Sequence, residues 1–155
     1  MIMNSRLGGP PKTPWHLWVV GAIAVFWNAF GATDYTMTQL GNVEWITSMG
    51  FDEATAKTML DFLGAAPAWA DAAWALGVWG GLAGALLLLA RSRFAIFAFA
   101  ASIVGVIGSM IYQAGADYPP ELAEMGNSPM MYIVLSIAVL LLAYSVWVQR
   151  SGVLK

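Results

Sequence analysis

The chain has 155 residues, 59% of them hydrophobic and only 10% charged, with a formal net charge of −2. Ordinary soluble domains carry roughly 25% charged residues, so this composition excludes a typical soluble globule, and its segregated charges make no nucleic-acid binder. With no cysteine, disulfides, thiolate catalysis and cysteine-ligated zinc or iron–sulfur centres are excluded too.

Four charge-free apolar stretches follow one another: Trp15–Thr33, Ala72–Ala90, Phe94–Ala116 and Pro129–Val148. Each is close to the ~20 residues that cross a hydrocarbon core ~30 Å thick. They predict an all-α membrane protein, one domain over residues 1–155, built as a four-transmembrane-helix bundle with spans at about 15–34, 69–90, 94–115 and 129–149. Arg6 and Lys12 precede the first span, Arg91 and Arg93 separate the second from the third, and Arg150 and Lys155 follow the fourth. All nine acidic residues fall in the other two connections or at the span ends facing them, joined there by Lys57 alone among the basic residues. Lys and Arg are retained on the cytoplasmic side, so N- and C-termini are expected in the cytoplasm of a bacterial inner membrane. The 14 residues before the first span carry two positive charges, and no small-residue cleavage site follows a short apolar stretch, which predicts a retained first helix and no secretory signal peptide.

The first span is aromatic-rich and carries His16 near its inner end and Asn28 deeper in. The second pairs Gly77 with Gly81 and Gly80 with Gly84, and the third spaces Ala98, Ala101, Gly105 and Gly108 along one face. Such small-xxx-small pairs let helix backbones approach closely in lipid. Only Arg91, Ser92 and Arg93 join these two spans, which makes them an antiparallel hairpin whose glycine faces should meet. The fourth span has no glycine and should be the most lipid-facing. Trp15, Trp18 and Trp147 at the inner ends, with Trp69 and Trp74 at the outer end, form the aromatic belts of the two interfaces. Trp27 and Trp79 lie deeper and are expected to pack inside the bundle.

Between spans one and two, Gly50 to Gly64 carries helix start and stop signals and predicts one amphipathic periplasmic helix at about 52–63. Asp52 can cap its first amides and Glu53 suits the positive end of its dipole. Gly64 suits a left-handed C′ position, with Pro67 close behind. Phe51, Thr55, Thr58, Met59, Phe62 and Leu63 gather on one side, opposite Glu53, Lys57 and Asp61. The helix should lie over the bundle mouth or in the headgroups.

The polar residues concentrate at the outer ends. Asn28, Gly31 and Tyr35 share a face of the first span, and Asn28 lies six residues, or ~9 Å, below Asp34. At matching depth stand Asp71 on the second span, Tyr112 and Gln113 on the third, and Tyr132 on the fourth. Polar groups must find partners in lipid, so Asn28, Asp34, Tyr35, Asp71, Tyr112, Gln113 and Tyr132 are the candidate cluster. They form either an interhelical hydrogen-bond network or an outward-facing pocket for a small polar solute. His16 is the single histidine, which excludes a multi-histidine metal or haem site. Met37, Met110, Met125, Met130 and Met131 fall toward the outer side; thioethers bind Cu(I), yet packing is the ordinary use of methionine. No cofactor, metal site or catalytic motif is expected.

Four blocks, Trp15-His-Leu-Trp-Val-Val-Gly21, Trp27-Asn-Ala-Phe-Gly-Ala-Thr-Asp-Tyr-Thr-Met-Thr38, Trp74-Ala-Leu-Gly-Val-Trp-Gly-Gly81 and Gly152-Val-Leu-Lys155, resemble a family of small four-span proteobacterial integral membrane proteins. Some members are labelled sugar transporters, and the resemblance implies a bacterial origin and adds slightly to a transport reading. From the residues themselves the first expectation is a non-enzymatic accessory or interaction subunit, embedded in the lipid bilayer and packed against other membrane subunits or further copies of itself. The alternative is a small-solute transporter or channel protomer with an outward-facing polar vestibule. On this topology, reporter fusions after Lys155 and within Arg91–Arg93 should score as cytoplasmic, and fusions within Asp52–Asp61 as external. An external score after Lys155 would overturn the span count or the orientation.

Overall fold

A computed structural model describes residues 12–155; Arg6, counted above with the basic flanks, lies outside them. In chain order the helices are α1 (Trp15–Gln39), α2 (Val43–Ser48), α3 (Glu53–Gly64), α4 (Ala68–Leu89), α5 (Phe94–Gly115), α6 (Ala123–Gly126) and α7 (Met130–Arg150), with a 3-10 turn at Pro120–Leu122 before α6. Among the described residues there is no strand. α1, α4, α5 and α7 are each long and apolar enough to cross a bilayer, α7 continuing from the turn before it. Large apolar side chains such as Phe26, Leu86, Phe97 and Leu140 point outward, as lipid-facing helices require. The chain is a multi-pass membrane protein with a four-helix bundle. Lys12, Arg91, Arg93, Arg150 and Lys155 mark its basic end, and α2, α3 and α6 lie at the acidic end.

α1 runs past the predicted boundary at residue 34 and makes Asp34 and Tyr35 helical. Nothing in the sequence breaks the helix before Gly41, and the Thr33 and Thr36 hydroxyls donate to the Ala29 and Ala32 carbonyls at 2.8 and 2.7 Å. Gly41, at φ 64°, takes a left-handed conformation that side chains resist, and the chain turns back there. Asn42 then caps α2, a helix absent from the sequence reading, by accepting the Trp45 amide at 2.9 Å.

α3 begins as predicted. Asp52 accepts the Thr55 hydroxyl at 2.6 Å and the Thr55 amide at 3.0 Å, and these bonds hold its carboxyl below the usual range. Glu53, paired with Lys57 at 2.5 Å, is likewise lowered by that hydrogen bond and charge. The C-terminus differs from expectation: Gly64 stays helical and no left-handed residue follows it. The Ala65 and Ala66 amides wind onward to the Asp61 and Leu63 carbonyls at 3.0 and 3.2 Å, so the last carbonyls are satisfied without a left-handed cap. Ala56 and Met59 bury against Ile46 and Leu122, and Phe62 lies on Tyr118 at 4.8 Å. Of the two predicted positions, α3 takes the one over the bundle mouth.

The α4–α5 hairpin is the tightest pair. A Cβ on Gly105 would fall 2.5 Å from the Ala73 carbonyl, and one on Gly80 would fall 3.1 Å from the Ser102 amide. The glycine faces therefore meet as expected, except that buried Ser102 takes the place given to Ala101. Its hydroxyl donates to the Gly77 carbonyl at 2.6 Å. Gly81 faces Asn28 on α1, and Gly84 faces the Phe99 ring. Trp79 does not pack inside: it is two residues from both Gly77 and Gly81, about 200° round the helix at ~100° per residue, and is 48% exposed. Trp74 leaves the belt and turns inward, edge-on to Tyr35 at 5.0 Å. α7 packs chiefly on α5, meets α1 at the basic end and is the least buried of the four.

The basic end is sewn shut by the segment after α7. The Arg93 amide donates to the Lys155 carbonyl at 2.9 Å and the Lys155 amide to the Arg91 carbonyl at 2.8 Å. Val153 and Leu154 bury beside Leu17, Leu88 and Phe99. Because the α4–α5 contact is backbone on backbone, Gly105→Leu should lower stability in detergent by about 3 kcal/mol, the upper end of ordinary overpacking. Val139→Leu, on the exposed face of α7, should leave thermal melting within about 0.5 kcal/mol of the parent. Equal melting of the two variants would remove the close contact.

Candidate functional site

α1 packs on α4, α4 on α5 and α5 on α7. At the basic end α1 meets α7, where His16 Nδ1 and the Tyr144 hydroxyl are hydrogen-bonded at 2.6 Å and the His16 ring lies 5.4 Å from Trp147. Above that latch the two helices diverge around a cavity of about 500 Å³. Asn28, Gly81, Phe99, Ser102 and Leu141 form its floor. Trp27, Gly31 and Asp34 of α1 face Met131, Val134, Ile137 and Ala138 of α7 across it, and Ile46, Met59, Phe62, Tyr118 and Met125 roof it.

The predicted cluster divides accordingly. Asn28, Asp34, Asp71, Tyr112 and Gln113 all line this one cavity. Asn28 donates from Nδ2 to the Ala24 carbonyl of its own helix at 2.8 Å, so it is no interhelical strut. Asp34 Oδ1 accepts the Trp45 indole N–H at 2.9 Å, a bond made possible by the left-handed turn at Gly41 that folds α2 back onto α1. Asp71 accepts the Tyr35 hydroxyl at 3.3 Å and also the Gln39 side-chain amide. Tyr35 thus reaches the site through Asp71. Tyr112 stacks edge-on with Trp69 at 5.9 Å. Tyr132 does not join: it is 67% exposed on the outward face of α7.

Several lining residues escaped the sequence reading. Ser102 and Ser109 flank Gly105 at helical spacing, one turn and the next, on the face of α5 turned to the interior; that spacing was visible. Ile46 and Met59 come from short segments whose fold-back depends on Gly41 and Gly50, the latter at φ 103°. Burial pushes the Tyr118 hydroxyl up, with Tyr112 adding to the effect. Met125, Met130 and Met131 do reach the cavity, as do Met49 and Met59, while Met37 accepts a weak contact from Asn42 at 3.7 Å. Among the described residues no cluster of three His, Asp or Glu side chains could hold a metal ion.

The arrangement offers an apolar, aromatic- and thioether-lined chamber with carboxylates near its mouth. No protein-family model, curated protein or solved structure matches the chain.

Ser109 is the anomaly. Thr33, Thr36, Ser136 and Ser145 each return their hydroxyl to the carbonyl four residues back, whereas the buried Ser109 oxygen has no partner. An orphaned buried hydroxyl costs about 1–3 kcal/mol. Ser109→Ala should therefore raise the melting temperature of the purified protein, by the equivalent of roughly 1 kcal/mol. Ser102→Ala should lower it by about 0.5–1.5 kcal/mol through the lost bond to Gly77. Two shifts of the same sign would mean that Ser109 is satisfied after all.

Proposed function

We propose that the protein is a non-enzymatic inner-membrane protein that takes a small molecule into the cavity between α1 and α7, as a transporter protomer or a binding protein would. The observation that carries this reading is the cavity itself. A four-helix bundle normally fills its centre with side chains, and close packing leaves few voids larger than a water molecule. Here about 500 Å³ stays open, inside the ~300–1,000 Å³ range of ligand sites. Five of the spans' polar candidates line it, with Asn28 at its floor. The accessory-subunit reading rests on the exposed apolar faces of α1, α5 and α7, which acyl chains cover equally well. The charge pattern supports an orientation with the cavity toward the periplasm.

Ala138 is 8% exposed and lines the cavity, so Ala138→Trp should fill the chamber while leaving the α4–α5 contact alone. Protein released from membranes in mild detergent and measured by native mass spectrometry should carry a small-molecule adduct that Ala138→Trp removes, with thermal melting preserved. A polypeptide partner co-purifying in fixed ratio with both forms, with no adduct on either, would replace this reading with the accessory subunit.

A further inference from the structure

The carboxylates at the cavity mouth have donors but no counter-charge. Among the described residues the ion pairs reduce to Lys57 with Glu53, on the solvent side of α3. Asp34 and Asp71, both half-buried, are held by an indole, a phenol and a side-chain amide. A carboxylate drawn out of water without a cation carries an uncompensated desolvation penalty. From these facts and the lining we infer that the cavity selects lipophilic organic cations. The inference rests on the small-molecule reading above and names the ligand class of that same site.

Three further features point the same way. The lining presents Trp27, Trp74, Phe62, Phe99, Tyr112 and Tyr118, and a cation within ~6 Å of an aromatic face is attracted by the ring quadrupole, most strongly when desolvated. Ser109 lies on the wall and its buried oxygen lacks a partner, which leaves one acceptor beside the chamber unused. Nine carboxylates against Lys57 give the whole end of the molecule a negative field, which concentrates cations and repels anions.

The apolar walls decide between kinds of cation. A small hard ion needs six or more oxygen ligands gathered around it to replace its water, and among the described residues no three carboxylate or histidine side chains come together to hold one. A bulky organic cation spreads its charge over a weakly hydrated surface and gives up little on leaving water. Its apolar bulk suits Val134, Ile137 and the methionines, whose flexible thioethers adapt to varied shapes. Such molecules concentrate at the membrane interface, and the unpacked seam between α1 and α7 opens the cavity sideways to that layer.

Tetraphenylphosphonium and tetraphenylborate have nearly the same shape and opposite charge, which makes them a matched pair of probes. In equilibrium dialysis against the full chain in detergent, corrected for empty micelles, the phosphonium should bind saturably and the borate at least about tenfold more weakly. Asp34→Asn with Asp71→Asn keeps an acceptor for Trp45 and Tyr35, so the fold should hold while phosphonium affinity drops about tenfold or more. Should that double variant fail to fold, Gln113→Lys, which adds a positive charge to the wall, should suppress phosphonium binding instead. Equal binding of both probes, lost together in Ala138→Trp, would overturn the cation assignment and leave the cavity reading standing. Phosphonium binding that survives Ala138→Trp would place the cation elsewhere and also overturn it. Binding of neither probe overturns the assignment too, the cavity reading then being decided by the mass-spectrometric adduct.

Discussion

The α4–α5 backbone contact governs the rest of the bundle. In lipid an apolar side chain gains little by facing another helix instead of an acyl chain, so association depends on close packing and hydrogen bonds. Gly77, Gly80 and Gly105 bring two backbones together, and Ser102 adds a bond to the Gly77 carbonyl at 2.6 Å. Such a contact leaves no space between α4 and α5. It also fixes where the other spans can go: α1 sits against α4, with Gly81 facing Asn28 and Gly21 facing Leu89, and α7 sits against α5. The hairpin holds α1 and α7 apart by its own width. They close at the basic end through His16 and Tyr144. The cavity is the volume that this geometry leaves.

The two carboxylates that face it are not equivalent. Asp71 lies in the first turn of α4, where the positive end of the helix dipole favours a negative group, and it accepts from Tyr35 and Gln39. Asp34 lies toward the C-terminal end of α1, and among the described residues its one side-chain hydrogen bond is from Trp45. Asp34 is the less compensated of the pair. A cation would therefore gain more from Asp34, while Asp71 is the better anchored.

Much of the frame was legible because membrane helices must satisfy their own backbones, which makes span length and the Lys/Arg pattern strong signals. The hairpin was legible for a similar reason: glycines at i and i+4 have few uses in lipid other than close approach. What stayed hidden depended on direction. The sequence places Trp79 and Trp27 at similar depth, yet Trp79 faces outward and Trp27 lines the cavity, since rotation about the helix axis is set by the neighbours. Tyr132 was grouped with the cluster by depth alone, and its helix turns it away. The fold-back of α2 was hidden too, because it hinges on a single left-handed residue, Gly41. Without that turn Trp45 would not reach Asp34, and the mouth of the cavity would have no roof.

That roof bears on how a ligand gets in. Ile46, Ala56, Met59 and Leu122 form a small core of their own, apart from the one at the basic end, and Phe62 on Tyr118 ties α3 to the segment before α7. Lifting the roof would expose these side chains to water and break a packed unit. Parting α1 from α7 above the His16–Tyr144 latch disturbs far less helix–helix packing than parting any of the other neighbouring spans. The cheaper opening is sideways, into the bilayer. A route through lipid admits only molecules that partition there, so the path itself filters for lipophilic bodies before Asp34 and Asp71 select for charge.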